Sequence, residues 1–460
     1  MAGQAVSPVP NDFALNETPA PAGLFGPGSR ETGRAVLASS FGNFMEMFDF
    51  VVFGLLARQI SGNFFPGHDG SLSLLAALST YGVGFLTRPL GGMILGSYGD
   101  RHGRRATLIL TSGLMAITTA CIALIPPYSR IGIFAPVLLI SCRLIQGIAA
   151  GGEWGGAAVF LVEHAPVERR GLFGSLQQLG VGAGNIMGAS IIALLSFALS
   201  PLQMEQWGWR IPFALGFALF PLGLYVRSRV CETPVYTSSL AEGASEISPL
   251  STLFRTHRAA LLRGFGASAL CIVASQTTNI FLPAFATSSL SMAGAPVFLS
   301  SMLAALVFSL GIPFAGAASD KFGRQPVVLT GAIALILLLP FALYRLYLTP
   351  SFGTLITTQM IFAACLTCLS GPLCAYLCEI FTTDIRLSGL STSYSLAVTL
   401  FGGLTPSVDL FLTQKLHSLL AVMVAVGIAS LLTIISMLSV RNRHPRSFGR
   451  TSGEQGKKDT

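Results

Sequence analysis

Glu46 and Asp49 stand three residues apart in an otherwise apolar stretch of this 460-residue chain. On a helix that spacing puts both on one flank. A carboxylate in a dry cavity can take up and release a proton near neutral pH, which is what a proton carrier needs. The alternative is that one or both pair permanently with arginine. Arg143, Gln146 and Glu153 lie in a second apolar stretch. Gln146 and Glu153 share a helix face, with Arg143 ~60–80° around from them. A guanidinium holds a carboxylate bidentately and stays charged. Arg143 therefore reads as a contact for a substrate carboxylate or for proton coupling, or as the buried partner of Glu46 or Asp49. Arg88, ahead of Pro89 and the Gly91-Gly92 pair, either meets an anionic substrate or pairs with Asp49. Glu153, between two Gly-Gly pairs, reads equally as a gate or a ligand. Charges in apolar segments are costly enough to make each one a functional candidate.

These side chains need a scaffold that keeps water away. Only 10% of the residues are charged and 52% are hydrophobic, against roughly 25% charged in a soluble globular protein. Lipid is the expected solvent, and the 50 glycines suit close helix packing within it. A spanning helix needs ~20 apolar residues. Such runs fall near 36–62, 72–98, 106–126, 132–161, 172–198 and 209–227, then near 262–287, 296–318, 326–348, 353–378, 387–412 and 417–440. Outside them lie a polar tail (1–34), a central loop (228–261, with Glu232, Glu242 and Glu246) and a basic tail (441–460), the tails expected to be disordered. Residues 1–34 lack the apolar segment and cleavage site of a signal peptide, so the first span is expected to act as an uncleaved signal. Most of the 28 Lys and Arg collect in the tails, the central loop with Arg227 at its edge, and the turns carrying Arg101, Arg104, Arg105, Arg169, Arg170, Lys321, Arg324 and Arg386. That asymmetry puts both termini in the cytoplasm. The net charge of +8 belongs to these loops and implies no nucleic-acid partner. Cys365, Cys368, Cys374 and Cys378 share one apolar segment and read as small residues at a helix interface rather than as a metal site.

The chain repeats itself. Gly96-x-x-x-Asp100-Arg101-x-Gly103-Arg104-Arg105 follows span two, and Gly316-x-x-x-Asp320-Lys321-x-Gly323-Arg324 follows span eight, roughly 220 residues on. Glu163 ahead of Arg170 returns as Glu379 ahead of Arg386. Duplicated six-span halves follow, 35–227 and 262–440. The loop resembles the signature of the major facilitator superfamily, and Arg143-Leu-Ile-Gln146-Gly147 resembles its second signature. Four segments, 42–50, 88–92, 151–156 and 207–213, are similar to the metabolite–proton symporter family within it. Met47 and the run Phe401-Gly-Gly-Leu-Thr-Pro406 are similar to its citrate-type branch, whereas Phe281-Leu-Pro-Ala-Phe285 departs from it. The resemblance implies an all-α membrane protein with twelve transmembrane helices in two six-helix halves (the major facilitator fold). It implies proton-coupled uptake of an organic acid, citrate or a related tricarboxylate such as tricarballylate. It leaves open 2-oxoglutarate or another dicarboxylate, shikimate, proline or betaine, and export of a drug or metabolite. Against export stands the absence of Pro from Gly180-Val-Gly182-Ala-Gly184.

A substrate with several carboxylates needs a fixed cation in the dry part of its path. At least one of Arg88 and Arg143 is therefore expected to contact it, Arg143 first. The second half is expected to supply hydrogen bonds from Gln276, Asn279 and Tyr394, with no comparable charge; Asp409, near the outer end of span eleven, is expected to be solvated. Gly96, Asp100, Arg101, Gly103, Arg104 and Arg105, with Asp320 and Arg324 in the second copy, read as a conformational latch whose charges pair with helix C-termini and nearby acids in one state and part in the other. There is no Gly-Lys-Ser/Thr phosphate loop. No cofactor, no metal and no enzymatic site is expected. The expected partners are a small organic acid, protons and the lipid bilayer, and the expected setting is a bacterial inner membrane, with a monomer as the working unit. On this topology, a Ser245→Cys variant should stay unlabelled by an impermeant thiol reagent added to intact cells. Strong labelling would invert the arrangement.

Overall fold

The computed structural model describes residues 29–65, 70–228, 232–233, 236–237, 249–292 and 294–439. The expected tails, apart from the start of the first helix, and the central-loop residues 229–231, 234–235 and 238–248, with Glu242, Ser245 and Glu246, lie outside the described residues. Those described are helices and their connections, with no β-strand among them. Among the described residues eleven helices are long and apolar enough to cross a bilayer. They are Val36–Leu55 (span one), Arg104–Leu124 (three), Phe134–His164 (four), Val167–Leu195 (five), Arg210–Ser228 (six), Arg258–Ala286 (seven), Leu299–Phe322 (eight), Arg324–Leu348 (nine), Phe352–Ile380 (ten), Thr383–Leu416 (eleven) and Leu419–Leu438 (twelve). Large apolar side chains stand fully outward on them, Phe197 at 95% and Phe314 at 76% exposure. Water would penalise such a surface and lipid does not.

Span two, expected to be continuous over 72–98, is instead two helices, Gly70–Leu86 and Arg88–His102, joined at Thr87. Pro89 is the physical reason. It has no N–H and cannot bond the carbonyl four residues back. That carbonyl, on Phe85, accepts from Thr399 Oγ1 of span eleven at 2.7 Å. A local defect in one half thus becomes a bond to the other. Pro406 does the same in span eleven: the freed Gly402 carbonyl accepts from Gln276 Nε2 of span seven. Span one also differs from expectation. Its helix begins at Ser29 and breaks after Leu55, and a short helix follows, Ala57–Phe64. The central loop ends in a helix, Pro249–Thr256.

Small residues set the helix crossings. A side chain at Gly91 would enter the Ile148 carbonyl of span four, and one at Gly151 would enter the Arg88 carbonyl of span two. The duplication shows in the backbone. Gly103 and Gly323 take left-handed φ of 101° and 94° at matching turns, a conformation that side chains resist. Gly151→Val should therefore force spans two and four apart and lower stability by ~1–3 kcal/mol or more. Gly82→Ala, which meets nothing within 4 Å, should be neutral. Thermal unfolding of both variants in detergent checks the contrast.

Candidate functional site

Apart from the pairs of Arg104 at the latch end, the described residues of the N-terminal half hold three buried acid–arginine pairs. Asp49 of span one accepts from Arg143 of span four at 3.0 Å and from Thr119 of span three at 2.8 Å. Arg143 also donates to Gln146 at 2.7 Å, and Gln146 donates to Thr119 at 3.0 Å. The four side chains close a ring that ties three spans together. The Arg143 guanidinium lies over Phe53, 3.6 Å from the ring centre. Glu46, one turn along, accepts from Arg88 of span two at 2.8 Å. Arg88 sits between Phe50 and Phe85, 4.9 and 5.0 Å from their centres. Glu153 is held by Arg227 of span six and by Thr111 of span three.

The sequence left each arginine a choice, and the structure resolves it. Arg143 pairs with Asp49, and Arg88 pairs with Glu46 rather than with Asp49. Arg227, counted among the loop cations from sequence, is buried and joins Arg88 and Arg143 as a cation paired inside the half. It lies at the last turn of span six, so a reading by position alone put it in water. Gln146, Arg143 and Glu153 do not form one cavity-lining stripe: Gln146 faces the Asp49 ring and Glu153 faces Arg227. All three acids nonetheless border one small cavity of ≈ 20 Å³, with Ser112 and Thr119. Roughly 10–15 Å³ on this measure holds one water. Glu46 Oε2 is buried without a hydrogen-bond partner beside it.

The candidates of the second half are not gathered here. Tyr394 of span eleven stacks on Trp154 of span four, ring centres 3.5 Å apart and planes within 6°. Gln276 bonds the Gly402 carbonyl. Asn279 is exposed and donates only to Ser275, its neighbour one turn back. Asp409, expected in solvent, is fully buried and accepts from Thr277 at 2.8 Å. Its side of span eleven faces inward, while Phe411 faces out at 59% exposure.

The latch residues join the halves at one end of the molecule. Asp100 accepts from the backbone of Leu387 and Ser388 at 3.1 and 2.8 Å and from the Ser388 hydroxyl at 2.6 Å. Asp320 accepts from the backbone of Gly171 and Leu172 at 2.7 and 2.8 Å. Each carboxylate therefore sits at a helix N-terminus of the opposite half, span eleven or span five. Orphan N–H groups and the positive end of the helix dipole are the reason. The expected pairing with helix C-termini falls to the arginines: Arg104 donates to the Gly99 carbonyl, in the last turn of span two, at 3.0 Å. Arg104 reaches the Thr383 carbonyl at 2.9 Å and Glu163 at 3.4 Å. Arg386 joins the same Glu163 from the other half, and Arg324 bridges Asp320 and Glu379. Gly96 lets span two approach the Ser388 backbone. Gly103 turns the chain, and Glu232 caps the amides of Arg104 and Arg105. Arg105 bonds the Ser228 carbonyl at 2.7 Å, whereas the Arg101 side chain is exposed. Glu163 and Arg386 were visible in sequence only as a repeat; Thr119, an uncharged residue in an apolar run, carried no signal.

Comparison with known proteins follows this geometry. Residues 35–247 match the family model described as "Sugar (and other) transporter", and residues 264–459 match "Major Facilitator Superfamily". A proline/betaine transporter of Salmonella typhimurium is 34% identical over 425 residues, 89% of this chain and 84% of the relative. The inner membrane metabolite transport protein YhjE of Escherichia coli is 35% identical over 435 residues, 90% of this chain and 95% of the relative. A citrate–proton symporter of Klebsiella pneumoniae is 33% identical over 380 residues, 83% and 85% of the two chains. The proton:xylose symporter XylE, solved with 6-bromo-6-deoxy-D-glucose, superposes with a TM-score of 0.77 at 18% identity, covering 92% of this chain and 98% of that one.

The ring makes a specific demand. Arg143→Gln leaves Asp49 buried without its cation and should destabilise by about 3–5 kcal/mol. Asp49→Asn with Arg143→Gln removes both charges and should recover most of that loss. A double-mutant cycle on thermal unfolding checks it; additive effects would mean that the pair is not coupled.

Proposed function

The chain belongs to the major facilitator superfamily of multi-pass membrane transporters, and on that premise we propose that it is a secondary transporter taking up a small carboxylate-bearing solute together with protons. The observation that carries this reading is the pairing of Arg88 and Arg143, inside the spans, each with a buried acid. In this state Arg143 is held by Asp49 and Arg88 by Glu46. A proton arriving on either acid removes the arginine's partner. The freed guanidinium then takes the solute's carboxylate, since a buried charge without a counter-charge is unstable. Proton and solute bind together because each makes room for the other.

The solute class read first is a zwitterion such as betaine or proline. Releasing one arginine accommodates one carboxylate, and the solute's ammonium is the one charge left to be held. Phe50 and Phe85 already hold a cation between them in Arg88, and aromatic faces of this kind suit an ammonium group. Relatives named as proline/betaine transporters support it. A second reading is citrate or a related tricarboxylate, supported by the Klebsiella symporter and by the run Phe401–Pro406. It asks both arginines to be released at once.

The distribution of basic residues supports placing the latch end, both termini and the loop 228–261 in the cytoplasm. The latch-closed arrangement is then the outward-facing side of an alternating cycle between the halves 35–227 and 262–440. An inner membrane suits the YhjE relationship, and one chain carries a whole site, which supports a monomer. In proteoliposomes, an imposed inward proton gradient should raise accumulation of betaine or proline and leave citrate unchanged. Citrate-only uptake would select the second reading, and gradient-independent uptake of every solute would end the coupling claim. Asp49→Asn or Glu46→Gln should lose gradient-driven accumulation while at least one keeps solute exchange.

A further inference from the structure

The one buried acid of span eleven has no arginine. Asp409 is fully buried ~10 Å from the end of its helix. Its Oδ2 accepts from the Thr277 hydroxyl at 2.8 Å, and its Oδ1 has no hydrogen-bond partner. One turn further along the same face, the hydroxyl of Thr413 is also buried without a partner. Thr405, one turn the other way, completes a buried polar stripe on span eleven.

Nothing ionised faces it. Among the described residues no Lys, Arg or His makes an ion pair with Asp409. Span twelve carries no ionisable side chain. Arg258 and Arg263 of span seven lie roughly 20 Å or more along the helix from Thr277. The outer part of span ten, 352–364, carries none. On span eleven itself, Lys415 packs over Phe411 at 5.6 Å, and His417 follows the exposed helix end. An ionised carboxylate in this position would lack both cation and water, and such groups neutralise instead.

We infer that Asp409 is a second proton-binding site, in the half opposite the acid–arginine pairs, and that its proton is one of those transported. The surrounding backbone explains how the proton is released. Thr277 opens a π-turn in span seven, Thr277–Phe281, and span eleven has its own at Val398–Gly402. Gln276 bonds the last residue of that second turn. Spans seven and eleven are therefore joined at two points, Gln276 to Gly402 and Thr277 to Asp409, both beside irregular turns. Separation of the two spans admits water to the Thr405–Asp409–Thr413 stripe. The carboxyl O–H bond then breaks, its proton passes to water, and the carboxylate remains solvated.

The transport role rests on the proton-coupled function proposed above, while the protonated state does not, and two measurements keep them apart. Infrared difference spectra of purified wild type minus Asp409→Asn, in lipid at neutral pH, should show a protonated-carboxyl C=O band that shifts in D₂O. Carboxylate bands in its place would overturn the proposal. Reversal-potential measurements with betaine, proline or citrate, whichever wild type accumulates, should give a proton-to-solute ratio lower by one in Asp409→Asn. An unchanged ratio with normal infrared bands would overturn the transported role. Sodium dependence present in wild type and lost in Asp409→Asn would overturn it in favour of a metal cation. A band present in a wild type that shows no proton-coupled uptake would overturn the functional reading and leave the protonated carboxyl supported.

Discussion

A carboxylate moved out of water must be neutralised, and the means of neutralisation differ between the two halves of this protein. In the N-terminal half each acid has an arginine from another span: Asp49 joins spans one and four, Glu46 joins one and two, and Glu153 joins four and six. Such pairs stabilise little against an apolar alternative, because desolvation offsets much of the attraction. Their value is conditional. Whatever discharges one partner leaves the other seeking a new one. The C-terminal half holds Asp409 with a single hydroxyl and no cation. Charge is thus concentrated in one half and nearly absent from the interior of the other.

The junction between the halves uses the backbone more than the side chains. Asp100 and Asp320 each engage two main-chain amides across the junction. Where proline removes an amide, a side chain of a neighbouring span takes the freed carbonyl, as Thr399 does for Phe85 and Gln276 for Gly402. These contacts are directional hydrogen bonds, each modest in net worth and so readily broken and remade. Beside them Trp154, Ala158, Val159 and Val162 of span four share an apolar cluster with Leu377, Leu387 and Leu390 of the other half. Among the described residues the hydrogen bonds between halves all fall from the latch end to Thr399.

How far this was legible in the sequence depends on the kind of signal. Apolar runs marked every span, because bilayer thickness imposes a length. The break in span two was not called, although Pro89 stood in plain view, because hydropathy ignores main-chain bonding. The repeat of Gly103 and Gly323 located both latch turns, and the glycines share one backbone conformation. The arginines meet helix C-terminal carbonyls, as expected, but the helix N-termini that receive Asp100 and Asp320 belong to distant segments, and no local pattern encodes that meeting. Glu46, Asp49, Arg88 and Arg143 stood out as charges in apolar runs, yet their pairing was undetermined, since helix rotation decides it. Arg227 and Asp409 were misplaced for one reason. Nearness to a helix end does not mean exposure: the long Arg227 side chain points back into the bundle, and Asp409 stands on the inward face of its helix.

The Trp154–Tyr394 stack has a consequence for observing the protein at work. The chain contains three tryptophans. Trp209 is enclosed within the N-terminal half against Phe64, and Trp207 lies beside it, partly exposed. Only Trp154 touches an aromatic ring of the other half. When the halves part, its indole loses a face-to-face neighbour and meets a more polar surround, while the other two keep theirs. The molecule therefore carries its own optical gauge of junction opening, readable as a change in intrinsic emission without any attached dye.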